Sequence, residues 1–314
     1  MRQTVKKVIS TLVTLLIVSF LLFLAFELIP GDPALAKLGT DATPEQIVQM
    51  RAKMGLDRPF LERYVAWLGC FFRGDFGTSY DYGISVSQLI VDKLPITLTM
   101  TVMAFLMMMA ISIPFGIFTA KHVGGKLDSF FSSLNQVIMA VPPFFTGILI
   151  TFLFGVILRL FTPGNFVSYK EDFGAFLLYM IFPSIAIALP KAAMAVRMLR
   201  SSLLSEMKND YTRTAYSRGN DTSGVLYRHV LKNAFIPVLT FFGMALADIF
   251  TGSIIVEQVF NIPGLGRILL TSISHRDYPV VEAIIMLMAF VVILVNLVVD
   301  IIYRKIDPRI SVEE

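Results

Sequence analysis

Apolar residues fall along this chain in six long blocks separated by polar connections. The blocks run at about Val8–Ile29, Leu94–Ala120, Leu134–Leu158, Phe176–Val196, Phe235–Ile255 and Val280–Ile302. Each is near the ~20 residues that a helix needs to cross a ~30 Å hydrocarbon core. Backbone polar groups in lipid must be satisfied within the segment, so blocks of this length predict membrane-spanning helices. The pattern predicts an all-α, polytopic membrane protein with six transmembrane helices. Pro114, Pro142-Pro143, Pro183 and Pro190 fall inside the blocks. They are read either as bends around a pathway or as packing irregularity, because Gly and Pro are common in such helices. The first block follows a basic start (Arg2, Lys6, Lys7) but is too long for a signal-peptide core and lacks a small-residue cleavage site, so it is read as the first span.

Two polar connections carry patterns of their own. In the first, Pro30 to Lys93, Thr43-Pro44-Glu45-Gln46 has the form of a capping box, with Thr43 as N-cap and Gln46 three residues on. Apolar residues then recur at Ile47, Met50, Met54 and Leu56, and again at Phe60, Tyr64 and Trp67. Two or three short helices are expected there, forming an external cap. The second is Ser205–Pro237, the longest polar run in the second half. It places Tyr211, Ala215 and Tyr216 along one helical face, breaks at Gly219-Asn220, and repeats the helical spacing at Val225, Leu226, Val230 and Leu231. A short helix, a Gly turn and a second helix are expected, arranged as a docking surface.

Composition supports the membrane reading. The 314 residues are 55% hydrophobic and 16% charged, with mean hydropathy +0.71, whereas soluble domains carry about 25% charge. The net charge of +4 and the lack of a basic run interleaved with aromatics give no nucleic-acid groove. A single cysteine, Cys70, excludes an internal disulfide framework. Orientation follows from Lys and Arg. Arg2, Lys6 and Lys7, then Lys121 and Lys126, then Lys191, Arg197, Arg200 and the cations of Ser205–Pro237, and finally Arg304, Lys305 and Arg309 all fall on one side. The positive-inside rule puts that side, with both termini, in the cytoplasm and puts 30–93 outside.

Several chemistries are missing. Nothing matches G-x-x-x-x-G-K-[ST], so any ATP that drives this chain is hydrolysed elsewhere. No G-x-S-x-G elbow, H-E-x-x-H pair or in-span histidine points to an enzyme. His122, His229 and His275 are too scattered for a metal site of local spacing. Asp75-Phe76-Gly77 matches a kinase metal-binding triplet without the rest of a kinase's motifs.

Charges inside the blocks are informative, because each costs about 2.5–3.5 kcal/mol or more there. Asp248 lies within the fifth block. It is either a polar wall of a translocation pathway or a structural carboxylate bonded to a neighbouring hydroxyl or amide. Glu27 and Glu257 are expected at the outer boundary, in reach of water. Asn296 and Asp300 approach the inner end of the sixth block, with Asp300 and Arg304 at i,i+4 spacing. Asp248, Glu257 and Asn296 are the candidate pathway residues.

The motifs resemble a family over nearly the full length. LIPGDPA (Leu28–Ala34), MGLDRP (Met54–Pro59), GDFGTSY (Gly74–Tyr80), LPITL (Leu94–Leu98), IPFGI (Ile113–Ile117) and RMLRSSLL (Arg197–Leu204) occur in order. DYTRTAYSRG (Asp210–Gly219), RHVLKNAFIP (Arg228–Pro237), IPGLGR (Ile262–Arg267), RDYP (Arg276–Pro279) and DPRI (Asp307–Ile310) follow. The chain resembles the permease subunits of bacterial ABC importers of dipeptides, oligopeptides and nickel. The resemblance implies a type I importer permease fold with an external helical loop domain. It implies as partners a second permease, two ATP-binding subunits that hold ATP and Mg, and an external solute-binding protein, with no cofactor on this chain and a place in the bacterial inner membrane. Asp210–Gly219 is similar to the family's cytoplasmic coupling loop. Ala215 and Gly219 match its alanine and glycine, and Arg213 stands where its first residue is usually acidic. The coupling residues implied are Asp210, Tyr211, Arg213, Ala215, Tyr216, Arg218 and Gly219.

The expected organisation is a cytoplasmic N-terminus and first span at 1–29, a loop domain at 30–93, a permease core at 94–304 that includes the coupling loop 197–237, and a cytoplasmic tail at 305–314. A peptide substrate is expected, with nickel or a metal–chelator complex as the alternative. Asp248 bears on that choice, since an acidic fifth span also resembles the nickel branch. A stand-alone channel or secondary carrier is the reading from another class; it needs no ATPase.

Overall fold

The computed structural model describes residues 2–29, 33–39 and 42–306. Among these the elements are helical apart from an isolated bridge between Thr78 and Ser85. The motif at Asp307–Ile310, the rest of the tail to 314 and the Pro30–Asp32 part of the first motif lie outside the described residues. The Arg304 side chain does too, so the Asp300–Arg304 pairing is not described.

The helices are α1 (Arg2–Leu28), α2 (Pro33–Leu38), α3 (Pro44–Lys53), α4 (Phe60–Phe72), α5 (Val86–Lys121), α6 (Lys126–Ala140) and α7 (Pro143–Ile150). They continue with α8 (Phe173–Glu206), α9 (Asp210–Ser217), α10 (Thr222–Val225), α11 (Leu231–Val259), α12 (Leu265–His275) and α13 (Tyr278–Ile306). A π-helical stretch, Thr151–Ile157, prolongs α7, and another, Leu226–Val230, joins α10 to α11. Among the described residues five helices are long and apolar enough to cross a bilayer, and a bent pair makes a sixth if it counts as one span.

The expected third span differs most. It is a pair, Lys126–Ala140 and Pro143–Ile157, bent by 104°. Pro142 is extended (φ −63°, ψ 148°) and Pro143 takes the first helical position. An X-Pro residue is pushed out of the helical region, so two consecutive prolines end one helix and start another. The other spans are longer than the apolar blocks. α5 and α8 have 36 and 34 residues, and at 1.5 Å per residue both exceed a ~30 Å core. Helical hydrogen bonding does not stop where hydrophobicity does.

Two units pack separately. One comprises Met1–Thr97 with Pro263–Leu294, the other Leu98–Ile262 with Val295–Glu314. That grouping does not follow the polar and apolar blocks, since the stretch before the sixth span joins the first connection. The reason is a buried carboxylate. Asp277, with no exposed surface, accepts from Ser79 Oγ, Tyr80 N (3.0 Å) and Asp81 N (3.3 Å). Its own N–H donates to Ser272 O at 2.8 Å. The GDFGTSY and RDYP motifs, far apart in sequence, are two halves of this knot. Thr97 of LPITL likewise accepts from Leu265 N of IPGLGR at 2.9 Å.

In the same unit α3 carries the expected capping box. Thr43 N donates to Gln46 Oε1 at 2.9 Å, and Gln46 N donates to Thr43 Oγ1. Helix α4 also has a partner outside the connection. It packs against the middle and second half of α1, with Phe60, Tyr64 and Trp67 in ring contact with Phe20 and Phe23. Tyr64 OH lies 2.8 Å from Ser19 Oγ, and Arg63 reaches Glu27 at 2.5 Å. The three aromatics recur every three to four residues, so they form one stripe that needs an apolar partner, and α1 supplies it.

The second unit centres on α8 and α11, with α6 and α7 against α8. Gly116 of IPFGI faces Leu199 of RMLRSSLL; a Cβ there would lie 2.8 Å from a Leu199 methyl. Any larger residue there would make Leu199 shift.

Candidate functional site

Helix α9 is short and polar, and two small contacts seat it. Thr212 and Ala215, three residues apart, are its buried positions. Thr212 Oγ1 donates to Asn209 O (2.6 Å) and Met207 O (2.9 Å), which closes the turn after α8. Asn220 Nδ2 donates to Ala215 O at 3.0 Å. Gly219 takes φ 82° and donates to Tyr216 O at 2.9 Å; left-handed backbone at a helix end favours glycine. No atom lies within 4 Å of a Cβ built at Gly219, so its requirement is conformational.

The face expected to hold Tyr211, Ala215 and Tyr216 together is split. Ala215 turns inward, 5% exposed, while Tyr211 and Tyr216 are exposed. Arg213, Thr214 and Arg218 are exposed with them. Thr212 takes the anchoring place because its hydroxyl satisfies carbonyls at the preceding turn. Tyr211 OH donates to Glu206 Oε2 at 2.5 Å. Desolvation and then the Glu206 carboxylate raise its pKa above the ordinary tyrosine value. Arg213 stands 3.8 Å from Asp210, both well exposed.

The expected second helix is not separate. Asp221 caps it by accepting from Gly224 N at 2.9 Å, and it runs as Thr222–Val259 into the fifth span. Val225, Leu226 and Val230 are buried as their spacing requires.

The three pathway candidates separate. Glu257 has no exposed surface. It lies two residues before the end of α11, on a buried face, so the expectation that it meets water is corrected. Asn296 is exposed on α13. Asp248 is exposed on α11 and is paired with neither a hydroxyl nor an amide. Lys191 Nζ donates to its Oδ2 at 2.7 Å. This also corrects the reading of Lys191, Arg197 and Arg200 as connection charges, since all three lie within α8. Lys191 sits between apolar runs, IALP and AAMAV, and that flanking was the signal available for placing it in the span.

A second pair went unread. Arg200 donates to both carboxylate oxygens of Asp128, at 3.0 and 2.7 Å. Asp128 also accepts from Gly124 N at 3.0 Å and Ser132 Oγ at 3.3 Å. In the other unit a cavity of about 560 Å³ is walled by Phe23, Trp67, Phe71 and Phe76, with Arg58 and Glu282 among its polar groups. Among the described residues no three or more His, Cys, Asp or Glu side chains come together as a metal site.

With this geometry in place, comparison with known proteins is direct. The family of binding-protein-dependent transport system inner membrane components matches residues 112–312, and that family's N-terminal model matches residues 1–101. A probable peptide ABC transporter permease protein of Sinorhizobium fredii is 32% identical over 305 residues, 97% of each chain. A putative peptide transport system permease protein of Brucella abortus is 37% identical over 309 residues, again 97% of each. The oligopeptide transport system permease protein AppB of Bacillus subtilis is 34% identical over 310 residues, 98% of each. Among solved structures, an inward-facing form of the MetNI methionine ABC transporter has a chain that matches with TM-score 0.58 at 17% identity. The match covers 70% of this chain and 97% of that one, a likeness of fold. This chain belongs to the family of binding-protein-dependent transport system inner membrane components, the multi-pass permease subunits of ABC importers.

Proposed function

We propose that this chain is the permease subunit of an importer of di- or oligopeptides. It pairs with a second permease and with two ATP-binding subunits that bind ATP and Mg and hydrolyse the nucleotide. A solute-binding protein delivers the peptide to the outer face, and both termini lie in the cytoplasm. The names of the relatives, all peptide permeases, support the substrate class.

The observation that carries the coupling role is the division of α9 into two faces. Thr212 and Ala215 seat it, and Tyr211, Arg213, Tyr216 and Arg218 are exposed to meet another surface. Tyr and Arg are the residues that anchor interfaces most often. A helix fixed at two buried points moves with the body that holds it, so a push on its exposed face reaches α8 and α11. The motor's closure then shifts an equilibrium between inward-open and outward-open states, one that ligand and nucleotide both bias. Asp210 stays with this face, and Gly219 supplies the turn. Asp248 and Asn296 are the pathway residues; Glu257 is not among them, because it is enclosed.

The test replaces Ala215 with Leu and, separately, Gly219 with Val. Both should abolish peptide uptake in proteoliposomes while the chain still enters the membrane and the binding protein still captures peptide. Uptake at the unmodified rate would overturn the coupling assignment.

A further inference from the structure

Lys191 and Asp248 form an ion pair between two spanning helices, and the pair is open. The Asp248 side chain keeps 61% of its surface and Lys191 keeps 21%. Among the described residues Lys191 is the one hydrogen-bond partner of this carboxylate. A charge on a spanning helix faces protein or water, because facing lipid is costly and in-span ionisable groups mark substrate routes.

The surface around the pair has a consistent character. On α11 Pro237, Phe241, Met244, Asp248, Thr251 and Ile255 recur every three to four residues, and each is exposed or half-buried. On α8 Lys191 is followed one turn on by Met194, 40% exposed. Met194 and Met198 continue, with Met139 and Phe241, into an open hollow of about 670 Å³. Methionine side chains are flexible and polarizable and accept neighbours of many shapes. A methionine wall therefore does not select a side chain by shape. Arg197, Glu206 and three serines line the far part of that hollow, and the Lys191–Asp248 pair, neutral as a whole, stands beside it where α8 and α11 meet.

The geometry points to Lys191–Asp248 as a charge filter for the peptide, a role that rests on the peptide-import reading above. Closed on itself, the pair presents no net charge, and cationic, neutral and anionic peptides meet the same wall. An arriving ammonium displaces Lys191 from Asp248, and the freed lysine takes an arriving carboxylate. No covalent step is involved. Removing the Asp248 charge leaves an unpaired cation that repels cationic peptides. Removing the Lys191 charge leaves an unpaired anion that repels anionic ones.

The test uses the complete transporter with its binding protein in proteoliposomes and three tripeptides that differ only in a central Lys, Ala or Glu. The readout is the ratio of Lys-peptide to Glu-peptide uptake at saturating binding protein. Asp248→Asn should lower that ratio about tenfold and Lys191→Met should raise it about tenfold, the scale expected for one partly screened charge. The charge-swapped K191D/D248K chain should return the ratio to the wild-type value. Asp248→Ser and Lys191→Gln replace either single variant that fails to assemble. Variants that slow all three peptides equally overturn the filter and leave a structural pair. A wild-type complex that moves none of the three overturns the peptide reading, and the filter with it.

Discussion

Helix α8 carries two ion pairs, built oppositely. Arg200 grips Asp128 through both carboxylate oxygens, and Gly124 and Ser132 complete the shell, leaving Asp128 8% exposed. Lys191 touches Asp248 through a single contact and leaves most of that carboxylate uncovered. The chemistry is the same, a cation on α8 with an aspartate on a neighbour. The difference lies in how many acceptor sites the protein fills. A carboxylate whose lone pairs are all taken is worth most where it is and cannot exchange partners. One held by a single bond can. The first arrangement fixes α6 on α8; the second leaves a charge that a passing solute can reach.

The largest expected effect comes from breaking the closed pair. Asp128→Ala leaves the Arg200 guanidinium, 28% exposed, without its carboxylate, and removing one partner of a largely buried, hydrogen-bonded charge costs about 1–3 kcal/mol. The melting temperature of the purified transporter should fall by several degrees and the yield of assembled complex with it. A variant as stable as wild type would show that the enclosure does not matter. Breaking the open pair should matter far less to stability. Lys191→Met should change it by under about 1 kcal/mol, because exposed pairs are worth little. A fall in melting temperature equal to that of Asp128→Ala would erase the distinction between the two.

The smallest effect concerns a carboxylate contact outside the spans. The Tyr211 pKa is raised in the folded chain, first by desolvation and then by Glu206. Sign follows from proton binding: below the ordinary tyrosine value near 10 both states hold the proton, and above it the unfolded state releases it first. Stability from this group is therefore full below that pH and is lost as pH rises past it. Tyr211→Phe should flatten the alkaline limb of the melting curve slightly. An unchanged limb would mean that Tyr211 ionises freely.

Much of the fold was legible. Apolar blocks located the spans because length and hydropathy are properties of consecutive residues. The capping box at Thr43 and the aromatic spacing at Phe60, Tyr64 and Trp67 were equally local, and both appear as helices α3 and α4. Helix ends were less legible. Backbone hydrogen bonding carries α8 ten residues beyond Val196 to Glu206, which moves Arg197 and Arg200 out of the connection; Lys191 lies inside the apolar block that ends at Val196. The coupling loop was readable in outline, but which residue of the Tyr211–Tyr216 face turns inward depends on where α9 touches the rest of the unit.

By itself, the sequence determined the class of protein, the number and order of apolar segments and the position of the polar stretch at Ser205–Pro237. Those follow from free energies of transfer and from periodicity along one chain. Only the tertiary structure decided which charges meet. Asp128 with Arg200, Asp248 with Lys191, and Asp277 with the Ser79 hydroxyl and the Tyr80 and Asp81 amides are pairings between residues 57 or more positions apart. Tyr80, Gly116 and Leu199 owe their neighbours to the same cause. A carboxylate's partner is set by whichever donor folding brings within about 3 Å, and no local pattern encodes that distance.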